Sequence, residues 1–171
     1  MARYNRWMND KVYAAAAQMT TSALGADRGA FFGSVLGTLN HLMVADLIWL
    51  QRFATLPSGG ALAALRELPA PAALDDMPYP DFAELRQKRQ WLDGLIESWA
   101  GALQDADLDQ VLCYGDRPFR KRLDGVVMHF FNHQTHHRGQ LTTLLSQAGL
   151  QVGETDLRAL VADHPAGSAP G

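Results

Sequence analysis

Apolar residues recur every three or four positions in four long stretches of the chain, approximately 4–19, 33–53, 81–103 and 123–147. This spacing is typical of amphipathic helices. Helix signals mark two of the boundaries. Asp81 can cap the third helix, with Glu84 three residues later, and Gly149 follows the fourth. The pattern therefore predicts an all-α protein built as a four-helix bundle.

Shorter elements connect the predicted helices. Residues 56–80 are rich in proline and glycine, and a connection of this length is either a crossover over one end of the bundle or a functional cover. Two short runs, 111–114 and 119–122, flank a Gly/Pro turn and predict a small hairpin. A short C-terminal helix is expected near residues 155–162. We expect one domain over residues 1–164 and a flexible tail over 165–171.

Three polar or reactive residues interrupt this apolar pattern. Asp46 lies on the apolar face of the second helix, and Arg89 occupies a position of the third where an apolar residue would fit. A side chain that extends to solvent at the bundle edge is the favoured interpretation of Arg89, with a role in a site as the alternative. Cys113 is interpreted as a small buried hydrophobic residue of the hairpin in preference to a nucleophile.

Four of the six histidines fall within nine residues of the fourth helix, at positions 129, 133, 136 and 137. Because residues four apart share one helix face, His133 and His137 can hold the same metal ion while His136 points elsewhere. That spacing alone favours a metal site and an ordinary core histidine about equally. A further histidine, His41, lies in the apolar pattern of the second helix and strengthens the metal interpretation, because an unpaired buried imidazole is unfavourable.

The residues around the histidine pair limit the kind of metal site that it can form. Gln134 follows His133, so the glutamate of the HExxH protease motif is absent. His129 lies one turn before His133 and is either an additional ligand or, in the favoured interpretation, part of a pocket wall. His136 and Arg138 are expected to face solvent or a partner.

Composition excludes several classes of protein. The chain has 171 residues, a net charge of -3 and a pI near 6.0. Because it offers one short basic run, 117–122, we expect no binding to nucleic acid. A single cysteine excludes an internal disulfide. Neither a targeting segment nor a membrane-spanning run is apparent, so we expect a cytoplasmic protein without membrane contact.

Three segments resemble the DinB/YfiT-like superfamily: YNRWMN at Tyr4–Asn9, LNH at Leu39–His41 with Asp46 and Trp49, and NHQTHHRGQ at Asn132–Gln140. The resemblance spans nearly the whole chain. It implies an up-down-down-up four-helix bundle and a divalent metal, zinc or nickel, held by three histidines. It also implies a homodimer, and an activity as a metal-dependent thiol S-transferase, an isomerase or a hydrolase. In this sequence the three ligands correspond to His41, His133 and His137.

Three neutral imidazoles leave a divalent ion with its charge uncancelled and with one or two positions open, as in catalytic zinc sites. Such an ion makes a bound water acidic and binds a thiol equally well, so hydrolysis and thiol transfer need the same ligands. Asp46 and Gln140 are the candidates to orient the ligands, although Asp46 lies about 140° around the helix from His41. The expected partner is a small-molecule substrate, possibly a thiol. A non-catalytic metal-binding or regulatory bundle is the alternative.

The predicted site also suggests how a substrate is recognised. We expect the metal in a pocket at one end of the bundle, with its open position facing solvent or small anions. Arg89 and the basic run 117–122 are the cations available to meet a substrate carboxylate. For the run as a whole, a solvated surface hairpin is the favoured interpretation.

Overall fold

Four long α-helices form the frame of the protein, whose computed structural model describes residues 1–115 and 119–163. In chain order the helices and strands are α1 (Ala2–Ala16), α2 (Thr21–Gly25), α3 (Val35–Phe53), α4 (Phe82–Ala102), β1 (Val111–Tyr114), β2 (Phe119–Arg122) and α5 (Leu123–Gln147). Three 3-10 helices cover Pro57–Leu65, Asp105–Asp109 and Leu157–Leu160. The predicted all-α class is confirmed, and β1 and β2 form the predicted antiparallel hairpin.

The helix ends follow local capping chemistry. The Asp81 carboxylate accepts a hydrogen bond from the Glu84 N–H at the start of α4, as predicted. The first helix ends at Ala16, earlier than expected, and Thr20 caps the separate short helix α2 that follows. The expected C-terminal helix over 155–162 is reduced to one 3-10 turn. The turn at 116–118 and the tail from 165 lie outside the described residues.

Side-chain contacts fix the directions of the four long helices. Helix α1 runs antiparallel to α4, because its early residue Arg6 meets Glu97 and its late residue Tyr13 meets Phe82. Helices α3 and α5 are also antiparallel. Helices α3 and α4 run parallel, as three contacts between them show: Asp46 to Arg89, Phe53 to Trp99, and Asn40 to Tyr79 just before α4. The order is therefore up-down-down-up.

This topology explains the long connection between α3 and α4. Two consecutive parallel helices require a chain segment that returns along the whole bundle. A helix of the length of α3 is about 28 Å long. Residues 54–81 cover that distance, first as the 3-10 helix Pro57–Leu65 and then as a segment of turns and irregular backbone. The connection is therefore a crossover, and its later part returns to the beginning of α3.

The core joins three helices through aromatic contacts. The rings of Phe53 and Trp99 stack with centroids 4.9 Å apart, and Phe130 meets Phe53 edge-on. The hairpin contributes Leu112, which is buried, whereas Cys113 is exposed. The prediction of a buried Cys113 is therefore wrong, because neighbouring residues of a strand point to opposite faces. Within the described residues, no helix is both long enough and apolar enough to cross a membrane.

Candidate metal centre

Three histidines from two helices bring their Nε2 atoms together between α3 and α5. His41 Nε2 lies 3.2 Å from His137 Nε2, which lies 3.1 Å from His133 Nε2. His41 and His137 are buried and His133 is half-buried. The two ligands on α5 are one helical turn apart, as the spacing predicted. The antiparallel packing of α3 against α5 supplies the third.

Hydrogen bonds at the opposite ring nitrogen fix the tautomers of two of these imidazoles. His41 Nδ1 lies 2.8 Å from the carbonyl oxygen of Leu74, in the crossover. His137 Nδ1 lies 2.7 Å from Oε1 of Gln140. Because both partners are acceptors, each Nδ1 carries the proton and each Nε2 presents a lone pair. This is the arrangement in which histidine binds a metal.

The residues fit a divalent ion. Two bare nitrogens facing each other at 3.2 Å cannot form a hydrogen bond, and their lone pairs repel unless a cation lies between them. Two nitrogens that bind one zinc ion tetrahedrally, each about 2.0 to 2.1 Å from it, are about 3.3 Å apart. The three side chains form a group whose ligand atoms lie within 4.8 Å of one another. They are positioned to hold a metal ion.

The electrostatic environment keeps the three rings neutral. Burial lowers the pKa of His41 and His137. Burial, together with the imidazoles of His137, His41, His129 and His136, lowers the pKa of His133 to about 4. Since a protonated imidazole cannot bind a metal, the site has its ligands ready at neutral pH.

A phenylalanine from the loop before α3 covers one side of the site. The Phe32 ring stacks on His41 with centroids 3.7 Å apart and meets the His137 ring edge-on. Gly37 makes this possible, because a Cβ on Gly37 would lie 2.1 Å from the Phe32 carbonyl oxygen. The loop can therefore lie directly against the first turn of α3. A larger residue at Gly37 would displace the loop and the ring together.

Gln140 gives the first testable expectation. We expect Gln140→Leu to weaken metal binding by about 10- to 100-fold, because it removes the acceptor that orients the His137 ring. Titration against a chromophoric chelator measures the change. Gln140→Glu supplies a stronger acceptor and should retain the affinity. Gln147→Leu, an exposed position two turns later on α5, is the matched control. Unchanged affinity in Gln140→Leu would contradict an orienting role.

The remaining histidines of the cluster lie beside the site. His129 is not among the three side chains grouped for a metal. Its ring meets Trp49 at 5.0 Å and His133 at 5.9 Å between centroids, and it lines a neighbouring cavity. This agrees with the pocket-wall interpretation. His136 is exposed, as expected.

Comparison with known proteins gives the family of the chain. The model of the DinB family matches residues 1–165. The chain belongs to the DinB family. It is similar to Protein DinB of Bacillus subtilis (strain 168), with 23% identity over 156 residues, 90% of this chain and 87% of that protein.

A solved structure shares the fold of this DinB-family chain. The crystal structure of a DinB-like protein from Bacillus cereus ATCC 10987 superposes with a TM-score of 0.53 at 22% sequence identity. The match covers 86% of this chain and 90% of the other. At this identity the likeness shows the fold, which is the bundle expected from the sequence.

The described part of this DinB-family chain also contains a buried charged cluster next to the metal site, which the sequence did not predict. Arg89 is 3% exposed and lies 2.5 Å from an Asp46 oxygen and 3.0 Å from an Asp93 oxygen. The prediction that Arg89 extends to solvent is therefore wrong. Asp46 contacts Arg89 and also accepts a hydrogen bond from Gln134 Nε2 at 2.7 Å. As expected, it reaches other helices rather than the His41 ring.

Arg138 belongs to the same cluster. Its guanidinium is 2% exposed and donates to the side-chain oxygen of Asn5. The expectation that Arg138 faces solvent is therefore wrong, and burial lowers its pKa to about 10. Asn5 and Asn9 in turn donate to the Asp93 carboxylate at 3.2 and 2.9 Å. Asn5 and Asn9 lie one turn apart on the buried face of α1. This spacing of two polar residues on an apolar face is the feature of the sequence that could have indicated the cluster.

Proposed function

We propose that this DinB-family protein is a divalent-metal-dependent enzyme that acts on small molecules, as a thiol-dependent transferase or a hydrolase. The observation that carries the proposal is the arrangement of His41, His133 and His137, whose Nε2 atoms converge, with a free lone pair on Nε2 of His41 and of His137. Zinc and nickel both suit imidazole nitrogen ligands. Three neutral ligands also match catalytic zinc sites better than structural sites, which use four protein ligands.

Each residue of the site has a specific part in this proposal. The three imidazoles bind the ion, the Leu74 carbonyl and Gln140 hold two of them in the correct tautomer, and Phe32 excludes water from one side. A divalent ion bound there supplies Lewis acidity, which lowers the pKa of a water or thiol in contact with it. Cys113 takes no part, because it lies on the exposed hairpin.

Access to the site supports a small-molecule substrate. A cavity of about 630 Å³ is lined by Phe31 and Met77 and by Phe32 and Leu74, the two residues that contact His41. A second cavity, of about 420 Å³, lies on the side of His133 and is lined by His129. Both volumes are in the range of ligand pockets. His133 is also the most exposed of the three histidines, so its side is the accessible one.

Turnover assays test the proposal. Protein loaded with zinc or nickel is assayed with a panel of small thiols combined with electrophiles, and with a panel of esters and amides. We expect turnover that disappears with a chelator, returns when the metal is restored, and is absent in His137→Ala. His136→Ala is the control and should retain activity, because His136 is exposed and lies outside the triad.

The alternative is a bundle whose metal only stabilises the fold. It predicts that metal raises the unfolding temperature while no member of either panel is converted. Tight metal binding without turnover would therefore favour the alternative. The absence of metal binding would reject both functions.

A further inference from the structure

The cavity beside His133 has an unusual combination of lining residues. Trp49 on α3, Tyr114 at the end of β1 and His129 on α5 supply aromatic walls, and Lys121 and Arg122 of β2 supply charges. The Trp49 ring meets Tyr114 at 5.4 Å and His129 at 5.0 Å between centroids. We call this space the aromatic pocket. Its walls suit a planar or apolar group, and its edge is basic.

A third cation, Arg52, does not line the pocket but stacks on two of its aromatic walls. Its guanidinium carbon lies 4.7 Å from the Trp49 ring centroid and 4.4 Å from that of Tyr114. Contacts of this kind orient the planar guanidinium. Within residues 1–115 and 119–163, no carboxylate pairs with Arg52 or Lys121. Arg122, by contrast, is paired with Asp109 and Asp124. Arg52 and Lys121 are thus the cations free to meet an anion.

The aromatic pocket lies next to the metal site. His129 forms a wall of the pocket and lies beside the His133 ring, with centroids 5.9 Å apart. His129 and Val126, both lining residues, precede His133 by one and two helical turns, or about 5 to 10 Å along α5. A molecule that contacts the metal and fills the pocket therefore extends over this distance.

We propose that the aromatic pocket is the subsite for an anionic end of the substrate, held by Arg52 and Lys121, with an apolar middle lying against Trp49 and Tyr114. This inference rests on the proposed function and specifies its substrate class. The molecule would carry a carboxylate separated from the group at the metal by at least about 5 to 10 Å, the rise of the one to two helical turns between His133 and the nearer pocket walls. A planar guanidinium suits a carboxylate because it donates two parallel hydrogen bonds.

The cavity on the other side of the triad does not suit an anion. It is lined by the apolar residues Phe31, Phe32, Leu74 and Met77, and its charged lining residue among those described is Asp75. A carboxylate there would meet a like charge. The two cavities therefore divide the substrate, with the anionic end in the aromatic pocket and uncharged groups on the side of Phe32. Arg89, a candidate from the sequence, is excluded because it is buried in the charged cluster.

Thiol binding to the cobalt-substituted protein tests the subsite without requiring turnover. A thiolate bound to cobalt(II) gives a charge-transfer absorption band, which reports binding directly. The probes are mercaptohexanoate and mercaptohexanol, which have the same length and differ in charge, together with the shorter mercaptoacetate. We expect mercaptohexanoate to bind about tenfold or more tightly than mercaptohexanol, and mercaptoacetate to gain nothing from its charge because it is too short.

Substitutions test whether Arg52 and Lys121 cause the preference for mercaptohexanoate. Arg52→Gln with Lys121→Gln should reduce the preference for mercaptohexanoate to about twofold, because the charge-assisted hydrogen bonds to the carboxylate are lost. Binding of mercaptohexanol should stay unchanged. Arg3→Gln with Arg158→Gln, which removes two exposed positive charges outside the pocket, is the control for net charge and should retain the preference. Equal affinities for the two long thiols in the unmodified protein, or a preference that survives in the double variant, would overturn the subsite.

A separate arm distinguishes failure of the subsite from failure of the proposed function. If neither thiol gives the band although cobalt is bound, the thiol-dependent form of the function fails. Calorimetric titration of metal-free protein with phenylpropionate and phenylpropanol then decides on the subsite alone. Tighter binding of phenylpropionate that depends on Arg52 and Lys121 supports the aromatic pocket as an anion site. Equal binding of the two probes rejects it.

Discussion

Replacing Asp46 by asparagine should lower the free energy of unfolding by about 3 to 5 kcal/mol. The change keeps the shape of the side chain and removes its charge. The buried cluster holds two carboxylates, Asp46 and Asp93, and two guanidiniums, Arg89 and Arg138, so it is neutral as a whole. Without the Asp46 carboxylate, a net positive charge remains in an apolar interior, where water cannot compensate it.

Urea unfolding in the presence of a chelator measures this loss without a contribution from the metal. Asp10→Asn, at an exposed position of α1, is the matched control and should change stability by no more than about 0.5 kcal/mol. Adding Arg89→Met to Asp46→Asn restores neutrality. We therefore expect the double variant to lose at least about 1 kcal/mol less than the sum of the two single variants. Simple additivity would contradict a coupled cluster.

The second large effect concerns the metal. The purified protein should contain about one divalent ion per chain, and His133→Ala should lose most of it. Of the three ligands, His133 has the greatest exposure, so its removal disturbs the core least. Two remaining imidazoles bind far more weakly, and we expect affinity to fall by on the order of 100-fold or more. Elemental analysis after dialysis measures occupancy.

Stability provides an independent measure of the same event. Metal at about 100 times its dissociation constant stabilises the native state by about 2.7 kcal/mol. That increment should be absent in His133→Ala and present in His136→Ala, the exposed neighbour on the same helix. Full occupancy in the double variant His133→Ala, His137→Ala would show that the ion binds elsewhere.

The sequence predicted the three candidate ligands and the bundle because both depend on local periodicity. Hydrophobic spacing locates a helix and its buried face, and two histidines one turn apart must share a face wherever that helix packs. The third histidine is recognisable because an imidazole at a buried position needs a partner. The hydrogen bond from His41 to the Leu74 carbonyl is different. It depends on the path of the crossover, which proline and glycine content does not specify.

The charged cluster could not be predicted residue by residue for a related reason. Arginine is usually exposed, so Arg89 and Arg138 were assigned to the surface. Their burial depends on carboxylates and amides from other helices, and an apolar pattern along one helix does not show which faces meet. Cys113 differs from these cases. Strand alternation with the buried Leu112 was sufficient to place it on the outer face.

The separation of the ligands along the chain also has a consequence for biosynthesis. His41 and His137 are 96 residues apart, with the crossover, α4 and the hairpin between them. A chain emerges from the ribosome amino end first, so His41 is made long before His133 and His137. Until α5 emerges, the nascent chain has one of the three ligands. We therefore expect a metal ion to be held by all three histidines only after α5 has been made.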